Sequence, residues 1–234
     1  MLFIACCAFS CSKDPVNPNP PDPPKPIEKQ EDLYPQQGDI IMENPGVNAP
    51  SGKPLLACGP TLKSGWKPLM IVANDNLLVA MKISGNMTYT NATSVFSQKL
   101  SEDRVDILPV SKPGKALWAE ICQEAKAKGF VLDVLNYAQK YSAGEHFPAG
   151  AFRLPTGQEK NEIPWSQVIA KVRQVTGEFW GEPRIWLMHV CERSGWTGYT
   201  SNKEILFVGY GTSAPAVLVM DAADLPSFIK LNKE

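Results

Sequence analysis

Seven prolines fall between Pro15 and Pro26, in a stretch that otherwise carries mainly Asn, Asp and Lys. Each proline fixes φ at about −65° and removes a backbone donor, so neither a helix nor a sheet ladder can run through such a segment. What remains open to it is an extended polyproline-like path with a reach of roughly 3 Å per residue. Residues 11–37 are therefore expected to form a tether, of which some twenty residues between Lys13 and about Pro35 reach on the order of 60 Å at full extension. Folding is left to residues 38–234, a length that suits one sizeable domain or two small ones.

Before this tract the apolar run Leu2 to Phe9 and the small Ser10 lead into Cys11, followed by Ser12-Lys13-Asp14. An apolar stretch, a small residue, a cysteine and then a polar tract resemble a bacterial lipoprotein signal. The resemblance implies removal of residues 1–10, acylation of the sulfur and amino group of Cys11, and residence on an outer membrane or cell surface. Two departures from the pattern are the lack of a basic residue before Leu2 and Ala8 where Leu is usual. No second run of about 18 apolar residues occurs, so the membrane is expected as a partner through the lipid alone.

Apolar residues make up 44% of the chain and the formal net charge is −1, without any basic block. Nucleic-acid binding, which needs a clustered cationic surface, has no electrostatic basis here. Once Cys6, Cys7 and Cys11 are set aside with the signal, Cys58, Cys122 and Cys191 remain. An odd number allows at most one disulfide among them; if a bridge forms, Cys122 with Cys191 is the favoured pair.

The pattern of apolar residues gives a coarse order of elements. Lys67 to Val72 and Leu77 to Ile83 flank the turn signal Ala73-Asn74-Asp75-Asn76 and predict a hairpin. Arg104 to Val110 reads as a further strand. A helix is predicted from Pro113 to Lys128, a second over Val131 to Tyr141, and a third after Pro164, where Trp165, Val168, Ile169, Val172 and Val175 follow the 3.6 period up to Gly177. Strands are then predicted over Arg184 to Cys191, Glu204 to Gly209, Pro215 to Met220 and Ser227 to Leu231. In between, Thr156 and Glu159 have capping-box spacing. Helices followed by antiparallel strands read as α+β.

Trp118 and Cys122 on a helix, the string Phe152-Arg153-Leu154-Pro155-Thr156 with Glu159, and Trp165 resemble the core of the formylglycine-generating-enzyme and C-type-lectin-like superfamily. The resemblance covers residues 113–232. It implies two main helices followed by an antiparallel, lectin-like sheet over residues 113–234, with residues 38–112 as an additional β-rich part of one unit spanning 38–234. The oxygen-dependent enzymes of that group need a C-terminal cysteine pair, and no cysteine follows Cys191. Calcium-dependent lectins use Glu-Pro-Asn and Trp-Asn-Asp; here Glu182-Pro183 is followed by Arg184 and the second motif is missing. No metal or cofactor is expected.

Gly-x-Ser-x-Gly, paired-His and phosphate-loop motifs are absent from the sequence. A hydrolase requires His189 or His146 to meet a carboxylate or Cys191. Asp221 and Asp224 read as turn decoration. The expected ligand surface is aromatic and polar, built from Trp180, Glu182, Arg184 and Arg193 together with Trp196 and Tyr199, which sit between glycines in an apparent loop. The function these features point to is a non-catalytic binding or adhesion module for a glycan or an extracellular protein. An accessory structural subunit of a surface assembly is the alternative.

Overall fold

Two apolar runs and the turn between them organise the fold. Lys67–Val72 (β3) and Leu77–Ala80 (β4) pair antiparallel with Ile71 opposite Val79. Their turn is held by the Asn74 side chain, which accepts from the backbone N–H groups of Asn76 and Leu77. In the computed structural model, which describes residues 22–88, 114–127, 133–177, 185–191, 196–201, 204–209 and 213–231, this hairpin lies inside a five-stranded sheet. The other strands are Ile40–Asn48 (β1), Pro54–Gly59 (β2) and the C-terminal Val219–Asp221 (β10), in the order β10-β4-β3-β1-β2. Residues on both sides of position 112 thus share one sheet.

Residues 69–72 of β3 and all of β4 are apolar and buried, because both faces of the sheet are covered there. Successive residues alternate between two cores, as a pleat of period two requires. Ile41, Val72, Leu78 and Leu218 belong to the first and Ile40, Ile71, Val79 and Val217 to the second. The first core is closed by Trp118 of helix Gly114–Ala127 (α1) and by Val134, Leu135 and Ala138 of Asp133–Lys140 (α2). The second is closed by Val168 and Val172 of Trp165–Thr176 (α4), both essentially inaccessible. Burial of a valine to this degree contributes about 1.5–3 kcal/mol. Gly177 ends α4 in the left-handed conformation at φ 73°, its N–H donating to Arg173 O.

The architecture is mixed α+β, with four helices and an antiparallel five-stranded sheet among the described residues. A pair Met87–Thr88 (β5) with Ser213–Ala214 (β9) and a three-stranded sheet of Trp186–Cys191 (β6), Trp196–Ser201 (β7) and Glu204–Gly209 (β8) complete it. The predicted strand 104–110 lies outside the described residues. Only the last part of the predicted strand from Pro215 is ladder, and the predicted strand from Ser227 contracts to one bridge at Ile229.

The expected tether differs most. Residues 26–35 are not free but lie along the domain. Glu28 N–H donates to Asn48 O and Asn48 N–H to Pro26 O. The Gln30 amide then pairs with the backbone of edge strand β2, donating to Leu56 O at 3.0 Å and accepting from Leu56 N–H at 2.7 Å. Finally Leu33 bridges Ile229, with Leu33 N–H on Phe228 O and Lys230 N–H on Leu33 O. Prolines direct such a segment to extended geometry, and extended backbone is what an open sheet edge accepts.

At the opposite edge Arg153 pairs with Val219 of β10 through two backbone hydrogen bonds. Phe152 and Leu154, one residue to either side, are fully buried in the first core. Arg153 is itself 2% exposed. Its guanidinium donates bidentately to Glu159 (2.7 and 2.7 Å) and again to Asp221 (3.0 and 2.6 Å). Desolvation alone pulls its pKa down, but the hydrogen bonds and charges of Glu159 and Asp221 outweigh it and raise the value. Glu159 also completes the capping box of Gly157–Glu162 (α3): Thr156 Oγ1 accepts from Glu159 N–H, and Glu159 Oε2 from Thr156 N–H. A Cβ on Gly114, the first residue of α1, would stand 2.5 Å from both Arg153 Nη1 and Glu159 Oε1. Asp221 and Asp224, read from sequence as turn decoration, are ion-pair partners of Arg153 and Lys115. Replacing Arg153 with Met is expected to cost about 3–5 kcal/mol in urea unfolding, because two carboxylates then face one another without a cation; a loss below about 1 kcal/mol contradicts this role.

Candidate functional site

Of the residues expected to bind ligand, Trp196 and Tyr199 alone fall among the described residues, and there only as strand positions. Trp180, Glu182, Arg184 and Arg193 lie outside the described residues. Trp196 and Tyr199 stand in the middle strand of the three-stranded sheet instead of a loop, Trp196 opposite Cys191 and Gly209, Tyr199 opposite Trp186 and Leu206. The glycines flanking them, Gly195 and Gly198, suggested a loop; strand pairing with β8 overrides that local preference. Cys11 also precedes the described residues.

Cys122, the favoured partner of Cys191 if any bridge were to form, is a free thiol, as is Cys58. Burial raises the pKa of both, opposed at Cys122 by a hydrogen bond with Gln139. Both therefore stay protonated near neutrality and are poor nucleophiles. His146 is committed to packing: its Nε2 lies 2.7 Å from Pro54 O and its ring meets Phe228 edge-on. Among the described residues no group of three His, Cys, Asp or Glu side chains could hold a metal.

A concave site occurs elsewhere, at the end of the main sheet where β3 begins, β4 has finished, and both α2 and α4 terminate. It is a cleft of about 790 Å³. Leu69, Met81 and Ala143 form its buried apolar part, and Lys67, Lys82, Asn136, Tyr137, Lys140, Tyr141, Ser142 and Thr176 supply polar groups. Antiparallel pairing explains two of these. Lys67 opens β3 and Lys82 follows β4, so the hairpin places them at the same end. Tyr137 and Tyr141 are four apart and so share one side of the α2 terminus, with ring centroids 5.9 Å apart. Tyr141 also meets Phe152 edge-on at 4.8 Å.

Burial raises the pKa of both phenols, that of Tyr141 to about 12, with Tyr137 contributing and a Lys82 backbone hydrogen bond opposing. Both are neutral at physiological pH, which leaves the lysines as the charges of the cleft. Lys67 is neutralised: its ammonium lies 2.9 Å from Glu43 Oε1, its cross-strand neighbour, which is almost wholly buried. Lys82 and Lys140 make no ion pair among the described residues. Two buried polar atoms at or beside the cleft, the Tyr137 hydroxyl and Glu43 Oε2, have no hydrogen-bond partner among the described residues.

Gly144 makes room for Glu43. Its φ is 75°, and a Cβ there would fall 2.1 Å from Glu43 Oε2. The arrangement offers hydrogen-bond donors and cations above an apolar base. The sequence reading missed this site because its parts come from four separated segments; the available signal was the pair of lysines at the open end of the hairpin. Comparison with protein-family models, with curated proteins and with solved structures found no match to the chain.

Gly144→Ala is expected to destabilise by about 2 kcal/mol or more, combining left-handed strain with the clash. Adding Glu43→Ala should return all but about 1 kcal/mol, the residual left-handed cost. Thermal unfolding of the two single variants and the double variant measures the coupling, and strict additivity would show that Glu43 and Gly144 do not interact.

Proposed function

We propose that this chain is a lipid-anchored bacterial surface protein whose folded part binds a glycan or an extracellular protein without transforming it. The cleft beside Tyr137 and Tyr141 carries the reading. Its volume is in the range of sites that hold small ligands, roughly 300–1,000 Å³, and a few polar groups converge over an apolar base as such sites require. Aromatic rings next to amide, hydroxyl and ammonium donors suit a saccharide, which presents both apolar ring faces and hydroxyls. The lectin-like kinship of residues 113–232 belongs to the same proposal. It is supported by the packing of Trp118, Phe152 and Leu154 in one core and by the Thr156–Glu159 box that follows them. Anchoring rests on the Cys11 signal and the proline tract; no helix of the described residues is long and apolar enough to cross a membrane.

Ser142 is exposed on the rim, so Ser142→Trp should fill the cleft and leave stability unchanged. On a glycan array the full chain should give a signal that this variant abolishes; a signal identical in both places the ligand elsewhere. In cells fed a clickable palmitate analogue the protein should take up label and sediment with membranes, and Cys11→Ser should do neither. Equal labelling of the two forms overturns the anchor.

A further inference from the structure

We infer that the ligand of this cleft is acidic: a saccharide whose carboxylate or sulfate sits between the ammonium groups of Lys82 and Lys140. The inference rests on the reading of the cleft as a ligand site and adds the chemical class of what it holds.

The chain as a whole is balanced at −1, yet the cleft gathers three lysines and no Asp or Glu among its described lining residues. One of the three is spoken for, since Glu43 lies 2.9 Å from Lys67. Lys140, in the last turn of α2, has a structural reason to be there, because a cation favours a helix C-terminus. Lys82 has none: it follows β4, its side chain is exposed, and among the described residues it meets no carboxylate. Lys82 and Lys140 are thus the two cations of this concave surface without a carboxylate partner among the described residues, and an oxyanion held by them gains charge-assisted hydrogen bonds.

The neutral groups narrow the class further. A free inorganic anion needs only the cations. Asn136, Ser142 and the two uncharged phenols instead supply the hydroxyl partners and ring surfaces that an acidic sugar uses and an isolated sulfate does not. Lys67, held back by Glu43, keeps the net positive charge of the wall at two rather than three.

The test is calorimetric titration of the full chain with trigalacturonate, its neutral methyl ester, a sulfated chondroitin tetrasaccharide and sodium sulfate. At least one acidic saccharide should bind about tenfold more tightly than the ester, the scale of one hydrogen bond to a charged group. Its affinity should fall with added salt as screening grows. Lys82→Gln and Lys140→Gln, both at exposed positions, should each cost about tenfold for the acidic ligand and leave the ester unaffected; circular dichroism checks that they stay folded. Ester and acid binding equally, with Ser142→Trp abolishing both, overturns the acidic inference and keeps the binding reading. Sulfate binding as tightly as the saccharides overturns the saccharide assignment. No binding of any probe overturns the inference, and a glycan-array signal lost in Ser142→Trp would still uphold the cleft as a site.

Discussion

A buried guanidinium ties the parts of this domain to one another. Arg153 has no access to water and must find all its partners inside, and it does so by drawing together the N-terminus of α3 through Glu159, the end of β10 through Asp221 and the start of α1 at Gly114. Such a cluster adds little net stability over an apolar filling of the same shape, since the desolvation cost is large. Its effect is on arrangement. A cation that can be satisfied in only one geometry excludes the alternative packings that an all-apolar junction would tolerate, although an arrangement of this kind serves as a specificity device only in some proteins.

The second constraint is the sheet. It is apolar on both faces, so it needs two helical covers, and it would be hazardous if its edges were bare. At one edge the backbone of Arg153 occupies Val219; at the other the Gln30 amide imitates a short stretch of strand against Leu56. The helices that cover the two faces end at the same rim, and their ends, with the open end of the hairpin, leave the cleft between them. The binding site proposed here is therefore a by-product of how the two layers terminate.

Local features were legible from sequence. The hairpin at 67–80, the helices ending near Lys128, Tyr141 and Gly177, and the Thr156–Glu159 box depend on neighbours within a few residues, and the structure has them. What depended on distant partners was not legible. Nothing near Pro215 reveals that Val219 joins β4, and nothing in the proline tract reveals that Gln30 meets Leu56, 26 positions away. Asp221 looked like a turn residue because its partner lies 68 positions upstream. Trp196 and Tyr199 looked like loop residues because glycine outweighs them locally. The cleft was invisible for the same reason, being assembled from ends of elements.

The docked stretch between Pro26 and Pro35 has a mechanical consequence if, as proposed, the chain is moored at its N-terminus. Tension on the leash would not reach the core at once. It would peel three fastenings in turn: the bonds to Asn48, then the Gln30 amide, and last the hold of Leu33 on Phe228 and Lys230. Under that anchoring, each release would lengthen the leash before any strand of the sheet is strained, and the docked stretch would act as a shock absorber.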